Sequence, residues 1–546
     1  MIARFWNGES KTITSAALIM GGAALLSRLL GMIRDRVLAG TFGAGDTLDA
    51  YYAAFRLPDF LYGLLVFGAL SAGFVPVFTE HLLKKNGERD AWRLVNEVLG
   101  VLAIALSIGT VLLIILAPLL VPLVAPGYRG PKLELTVLLS RIMFLSPLLL
   151  GFSAVLGGVL QSTKRFFAFA VAPLFYNIGI IVGAVVFYRS WGPVGLAIGV
   201  AFGSSLHLLS QYLPVARLGF RIAPVARRAG DGVAEIMRLS LPRIASLAVF
   251  QVDLTVATIV ASTLAVGSVT VLNLANNLQM VPVAFIGISY AVASFPALSR
   301  LAAKREKDEF IRSVSGVTRE ILFFVVPFSI VFMLLRAQIV RVVLGSGSFD
   351  WSDTIRTADT LAFFALSMAA QAVVPLLMRA FFALKDSTTP MLIALVTVGV
   401  DVIGMLTLPG LRTASGTLGV SGLALAFTFA SFVQVSLLYV TLRVRLGALS
   451  DEHLIRSLMK IATAAVPMGL VIQLVKNFLG TRLDLQSFLG IFLQGAIAGL
   501  LGLAVYLAVA LLLRSEEALS FAATMRRRVR VQQLPVVAAD EAVEKT

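Results

Sequence analysis

The chain of 546 residues is 58% hydrophobic and 14% charged, with a mean hydropathy of +0.90. Soluble domains run at roughly 45–50% apolar and about 25% charged, so a water-facing globule, a disordered chain, a coiled coil and a collagen are excluded. What remains is an all-α polytopic membrane protein, with apolar spans of roughly 20 residues each.

Lys and Arg outnumber Asp and Glu by 46 to 30, a net charge of +16. In a membrane chain such an excess marks the loops on one side of the bilayer, and no nucleic-acid partner is expected. The absence of Cys excludes disulfides, thiolate-held metals and thiol catalysis. His81, His207 and His453 stand too far apart for a His-based metal site. No catalytic constellation or nucleotide-binding domain is visible, so an enzyme is not expected. Gly345-Ser346-Gly347 is a turn rather than a phosphate cradle, because no Lys-Ser/Thr follows it.

In chain order, apolar stretches predict about 14 helices: 13–33, 50–79, 94–124, 135–160, 167–188, 193–216, 236–265, 269–299, 315–344, 357–384, 388–409, 418–442, 456–478 and 487–513. The first follows a short polar start without a small-residue cleavage site, so it reads as an uncleaved span. The second and eighth carry Pro58, Pro76, Pro282 and Pro296 and are expected to be bent or broken. Basic residues gather in alternate loops, for example Lys84, Lys85, Arg89 and Arg93, then Lys164 and Arg165, then Arg217, Arg221, Arg227 and Arg228. Opposite loops hold little beyond Arg129, Lys132, Arg189, Arg356, Arg412, Lys476 and Arg482. This asymmetry places both termini in the cytoplasm.

The chain also repeats itself. FVPVFTEHLLKK at 74–85 aligns with SFPALSRLAAKR at 294–305, and VGLAIGVAFGSSLHLLSQYL at 194–213 aligns with SGLALAFTFASFVQVSLLYV at 421–440. Six spans separate the copies, so the two lobes share an orientation and are related by an axis along the membrane normal. The expected division is residues 1–228, 229–446, two further helices over 447–514, and a tail over 515–546. Facing lobes imply a central cavity.

Ionisable groups within spans are costly and mark function. The first two spans hold Arg28, Arg34, Asp35, Arg36, Asp49, Arg56 and Asp59. Arg34 can pair with Asp35 or Asp49 to neutralise a helix end. Alternatively, surplus guanidinium faces a cavity and holds an anionic group, a geometry well suited to phosphate. Asp253 and Asp401 stand alone in the seventh and eleventh spans. Such carboxylates are protonated, paired across helices or bound to a cation. Thr397 lies one turn before Asp401, and Thr428 follows in the twelfth span.

Residues 27–78 read SRLLGMIRDRVLAGTFGAGDTLDAYYAAFRLPDFLYGLLVFGALSAGFVPVF. The S-R-x-L-G and R-D elements, F-G-A-G, D-A, A-F-x-L-P and G-A-x-S-x-x-F-V-P resemble the MurJ/MviN family, lipid II flippases of bacterial cell-wall synthesis. The resemblance implies a two-lobed helical exporter of the bacterial inner membrane, moving a lipid-linked peptidoglycan precursor by alternating access. It implies membrane lipid as environment, cell-wall synthesis proteins as partners, and a monomer. On this reading Arg28, Arg34, Asp35 and Asp49 match functional positions, with Arg34 holding the diphosphate and Asp49 orienting it. Asp253, Thr397 and Asp401, with the Ala424 carbonyl and Thr428, correspond to a sodium site.

The family's pattern is not followed everywhere. Tyr62, Gly63 and Phe67 stand where the family typically has an arginine pair and a Glu. Asn276 and Asn277 stand at substrate-facing positions where it has an Asp-Arg pair. Arg56, Arg243 or Arg379 are the candidate replacements. Weaker cavity charge leaves two other readings open: an exporter of another lipid-linked glycan or amphiphile, and a non-transporting scaffold for envelope synthesis.

Overall fold

The computed structural model describes residues 13–64, 68–83, 87–223, 231–413, 416–447 and 451–523. The described chain is almost wholly helical. Its one extended feature is a minimal hairpin pairing Arg412 with Thr417 and Thr413 with Gly416. Eleven helices are long and apolar enough to cross a membrane among the described residues.

The three remaining expected spans are helical but polar or interrupted. The first is α1 (Ile13–Phe42), which carries Arg28, Arg34, Asp35 and Arg36. The second is cut into α2 (Asp46–Ala54), α3 (Arg56–Tyr62) and α4 (Gly68–Leu82). Next come α5 (Gly87–Val124), α6 (Gly130–Met143) and α7 (Leu145–Ser162). The expected 135–160 span thus breaks at Phe144, just before Pro147, which supplies no N–H to a continuous ladder. Then follow α8 (Phe166–Trp191), α9 (Val194–Ala216) and α10 (Asp231–Ser262), the last being the seventh expected span.

The eighth span, α11 (Ser268–Lys304), contains a π-helical stretch over Val283–Ile288 directly after Pro282. A proline that cannot donate to its i−4 carbonyl shifts the ladder in this way. The expected 315–344 span divides into α12 (Lys307–Leu334) and the short α13 (Arg336–Leu344). The latter carries Arg336, Gln338 and Arg341 and is too polar to be part of a span. The chain closes with α14 (Trp351–Ala383), α15 (Thr388–Thr407), α16 (Val420–Leu446), α17 (Asp451–Gly480) and α18 (Phe488–Leu512), and a helical stretch over 516–523.

Packing groups these residues into two units. The first takes the described chain up to Leu278 together with Val340–Phe364 and Ala394–Ala430. Within it α8 and α9 meet through glycine. A Cβ on Gly179 would lie 2.1 Å from the Gly203 Cα, and one on Gly183 would lie 2.6 Å from the Gly199 Cα. Small residues spaced by four let backbones approach where no hydrophobic effect drives association. Leu94, Val98, Leu102, Val155, Leu156 and Val159 join Phe74 and Phe78 in a buried cluster of the same unit.

The second unit takes Gln279–Ile339, Ala365–Ile393 and the described chain from Ser431. Its core runs through Ile321, Val325, Met368, Ala372, Leu376 and Leu442. Here α17 and α18 pack against α12, with Met468, Ile472 and Tyr506 buried and the Tyr506 hydroxyl donating to the Phe323 carbonyl at 2.9 Å.

Candidate functional site

Five charged side chains of α1–α3 differ sharply in what they touch, and all their partners named below lie in the first unit. The Arg36 guanidinium donates to the carbonyls of Val342, Val343 and Gly345 at 2.6, 3.2 and 3.4 Å. These are carbonyls in the last turn of α13 and just past its end, which have no helical donor of their own. Arg36 is therefore a helix cap.

Asp49 is also a cap. It accepts from the backbone N–H groups of Gly267 (2.8 Å) and Thr270 (2.9 Å), from the Thr270 hydroxyl (2.9 Å) and from Lys132 Nζ (2.8 Å). A carboxylate at the start of α11 satisfies orphan donors and meets the positive end of the helix dipole. Gly267 allows this contact: its φ is +85°, and a Cβ there would sit 2.0 Å from the Ala44 carbonyl oxygen. With four protein donors and 2% exposure, Asp49 is closed to a ligand. The expectation that it orients substrate is corrected accordingly.

Arg34 and Asp35 form a different arrangement. Arg34 Nε and Nη2 reach Asp35 Oδ1 at 3.0 and 2.8 Å. Arg34 Nη1 donates to Asn177 Oδ1 at 3.0 Å, and Asn277 Nδ2 donates to Asp35 Oδ2 at 3.0 Å. Asn177 is itself oriented by its bond to the Pro173 carbonyl at 3.1 Å. These contacts use three of the five guanidinium N–H groups, and the Arg34 side chain keeps 23% exposure. It is thus a fixed cation with donors to spare, within electrostatic reach of Tyr51 and Tyr52.

Arg56 repeats the pattern one level along α11. Its Nη2 donates to Asn273 Oδ1 at 2.8 Å, while its buried Nε has no hydrogen-bond partner among the described residues. The Tyr52 hydroxyl is buried and equally unpartnered among them. Asn276, on the same helix, is engaged in contacts of its own. The carboxamides of Asn273 and Asn277, four residues apart on one face, thus hold Arg56 and the Arg34–Asp35 pair in turn.

Other expected residues fall elsewhere. Arg28 is exposed and has no side-chain partner among the described residues, so the structure does not bring it to Arg34. Gly63 rests on the Gln251 side chain, where a Cβ would lie 2.4 Å from Nε2. Arg379 lies in the second unit, its Nη1 near the Pro375 carbonyl at 3.4 Å. Phe67 and the Arg243 side chain lie outside the described residues.

The structure brings Asp253 of α10 and Asp401 of α15 together. Both are buried, their carboxyl groups lie close enough to interact, and the Oδ1 of each has no partner among the described residues. Two carboxyls in contact need a shared proton or a cation. Thr397 is buried one turn before Asp401. Thr428 gives its hydroxyl proton to the carbonyls of Phe363 (2.7 Å) and Ala424 (2.9 Å), which leaves lone pairs on its oxygen. Gly404 packs directly on Ala426, where a Cβ would lie 2.8 Å from the alanine Cβ. Antiparallel neighbours in that register set Thr428 at the level of Asp401. The two unpartnered buried carboxyl oxygens are hard donors of the kind a small cation takes. Among the described residues no group of three His, Cys, Asp or Glu could hold a metal.

Sequence reasoning missed Asn177, Asn273, Lys132 and Tyr52. Asn273 was legible, since it shares a helix face with Asn277. Asn177 carried a weaker signal, a lone carboxamide in an apolar span.

The model of the lipid II flippase MurJ family matches residues 38–494. A probable lipid II flippase MurJ from Rhizobium tropici is 30% identical over 515 residues, covering 90% of this chain and 93% of its own length. One from Thermotoga maritima is 29% identical, covering 90% and 94%. Among solved structures, a lipid II flippase MurJ in an inward closed conformation matches with a TM-score of 0.75 at 23% identity, over 90% of this chain and 98% of that one. An inward-facing multidrug resistance MATE transporter of the MOP superfamily matches at 0.64 with 16% identity, over 80% and 99%. Both describe the same helical fold. With the sequence match running from α1 into α18, the chain belongs to the lipid II flippase MurJ family.

Proposed function

We propose that this multi-pass protein of the bacterial inner membrane moves lipid II, a peptidoglycan precursor on a polyprenyl diphosphate, from the inner to the outer leaflet. The carrying observation is the Arg34 guanidinium, held by Asp35 and Asn177 and still partly exposed. A fixed guanidinium with free donors binds a diphosphate in bidentate fashion and tells it from neutral headgroups. Arg56, with its unpartnered Nε, supplies a second cation where the family's arginine pair is missing.

The proposed architecture is two lobes, 1–228 and 229–446, opening alternately around the substrate. Helices α17 and α18 flank them, both termini lie in the cytoplasm, and the protein acts as a monomer alongside cell-wall synthesis proteins. The pair Asp253 and Asp401 is proposed to take the coupling cation, sodium, with Thr397, Thr428 and the Ala424 carbonyl as further oxygens. A bound cation there removes the need for a shared proton. The residues themselves join α10 to α15, so their charge state sets how tightly those helices hold together.

The test is complementation of cells depleted of their flippase. The intact chain is expected to restore growth, and Arg34→Ala to abolish it at equal membrane abundance. Failure of the well-inserted intact chain to support growth overturns the lipid II reading.

A further inference from the structure

Away from the arginine cluster, the first unit holds an apolar groove of about 580 Å³. Its walls are α5, α7 and α9, and residues 220–223 close one end. On α5 the lining runs Asn96, Leu99, Gly100 and Ala103, and on α9 it runs Leu208, Leu209 and Tyr212. The groove is open: Leu209 is 49% exposed and Ile222 is 74% exposed. It is also a built feature. The Asn96 carboxamide accepts from the Ala223 N–H at 3.0 Å and donates to the Arg221 carbonyl at 3.1 Å, pinning the closing segment to α5. Trp92 packs beneath on Phe220 with the rings tilted, centroids 5.6 Å apart.

Charge identifies the occupant. The α5 stripe that lines the groove continues past Asn96 through Arg93 and Arg89, three and seven residues earlier on the same face. Both are exposed, as is Arg221 in the closing segment; Arg93 uses its Nε on Glu97 at 2.9 Å and keeps its two terminal nitrogens for a ligand. The Tyr212 hydroxyl, at the groove wall, has no hydrogen-bond partner among the described residues. An apolar slot that ends in guanidinium groups matches a ligand with an apolar tail and an anionic head.

We infer that this groove is a binding site for an anionic glycerophospholipid, one acyl chain lying between α5, α7 and α9 and the phosphate meeting Arg89, Arg93 and Arg221. The site is separate from the Arg34 cluster and does not depend on what that cluster carries. The lipid wedges the open faces of three helices and stabilises the unit that holds the arginines.

The experiment is native mass spectrometry and thermal unfolding of the purified full chain after delipidation. Phosphatidylglycerol, phosphatidylcholine, a polyprenyl phosphate and glycerol phosphate are added in parallel. Phosphatidylglycerol is expected to be retained at least tenfold better than phosphatidylcholine and to raise the unfolding temperature, with no effect of glycerol phosphate. Ala103→Trp, which fills the groove, is expected to remove that lipid. The triple variant Arg89→Gln, Arg93→Gln, Arg221→Gln replaces exposed side chains, giving up the Arg93–Glu97 ion pair, and is expected to bring the two phospholipids level. Equal retention by the intact chain, preference for the polyprenyl phosphate, or an unchanged phosphatidylglycerol preference in the triple variant overturns the assignment.

Discussion

Asn277 Nδ2 donates to Asp35 Oδ2 at 3.0 Å, joining α11 to α1 through the same carboxylate that Arg34 grips with its other face. Asp35 is thereby shared between a cation on its own helix and a neutral donor on another. Removing Asn277 leaves Arg34–Asp35 as a self-neutralised pair that competes with an incoming diphosphate. A bond to a charged group contributes about 1.5–3 kcal/mol. Asn277→Ala is therefore expected to slow lipid II flipping by about tenfold or more, measured as accessibility of labelled lipid II in the outer leaflet. An unchanged rate sinks this role for the carboxamide.

Asp49 predicts a stability defect rather than a binding defect. Asp49→Ala leaves the Gly267 and Thr270 donors without their acceptor, while Lys132 keeps its second bridge, to Asp46 at 2.7 Å. Loss of a helix cap costs about 0.5–2 kcal/mol. The unfolding temperature in detergent should fall by several degrees, with Asp49→Asn intermediate, while diphosphate affinity of the folded fraction stays unchanged.

For Asp253 and Asp401 the prediction concerns ion dependence. Asp401→Asn keeps a hydrogen-bonding side chain opposite Asp253 and should leave the fold intact. It should abolish any rise in unfolding temperature on adding sodium and any sodium dependence of transport. A sodium response that survives both Asp253→Asn and Asp401→Asn places the ion elsewhere.

Outside the spans, Asp386 caps the start of α15. The Thr389 N–H, the Thr389 hydroxyl and the Arg445 guanidinium hold its carboxyl below the usual carboxylate range. A depressed folded value gives stability that is complete above the unfolded value, about 4, and is lost as pH falls through the folded one. The unfolding temperature should therefore drop below about pH 4, and Asp386→Asn should flatten that part of the profile. Asp386 lies at the protein surface, so the effect is small.

Much of this was legible because the membrane forces simple rules on sequence. Spans such as 487–513 and 193–216 fall within a residue or two of Phe488–Leu512 and Val194–Ala216, since apolar length alone sets them. Breaks at Phe144 and Leu335 were not legible, because hydropathy does not register a helix that stops and restarts inside an apolar run. The Asp253–Asp401 contact was readable as two isolated acids, but not as a pair, since helix packing fixes which spans meet. Asp49 and Arg36 show the limit most clearly. Both are buried or half-buried charges in the same polar segment as Arg34, and only their partners, the ends of α11 and α13, reveal them as caps.

Arg34, Asp35 and Arg36 are consecutive, yet the first two serve the proposed ligand and the third grips the carbonyls of Val342, Val343 and Gly345. Any twist or slide of α1 that re-aims the Arg34 head must either snap that grip or drag residues 340–345 along. Substrate handling and the travel of a distant stretch of chain are thus geared together by one intervening side chain. Paired probes on α1 and at 340–345 would then keep a constant separation through the transport cycle, and Arg36→Ala would set them loose.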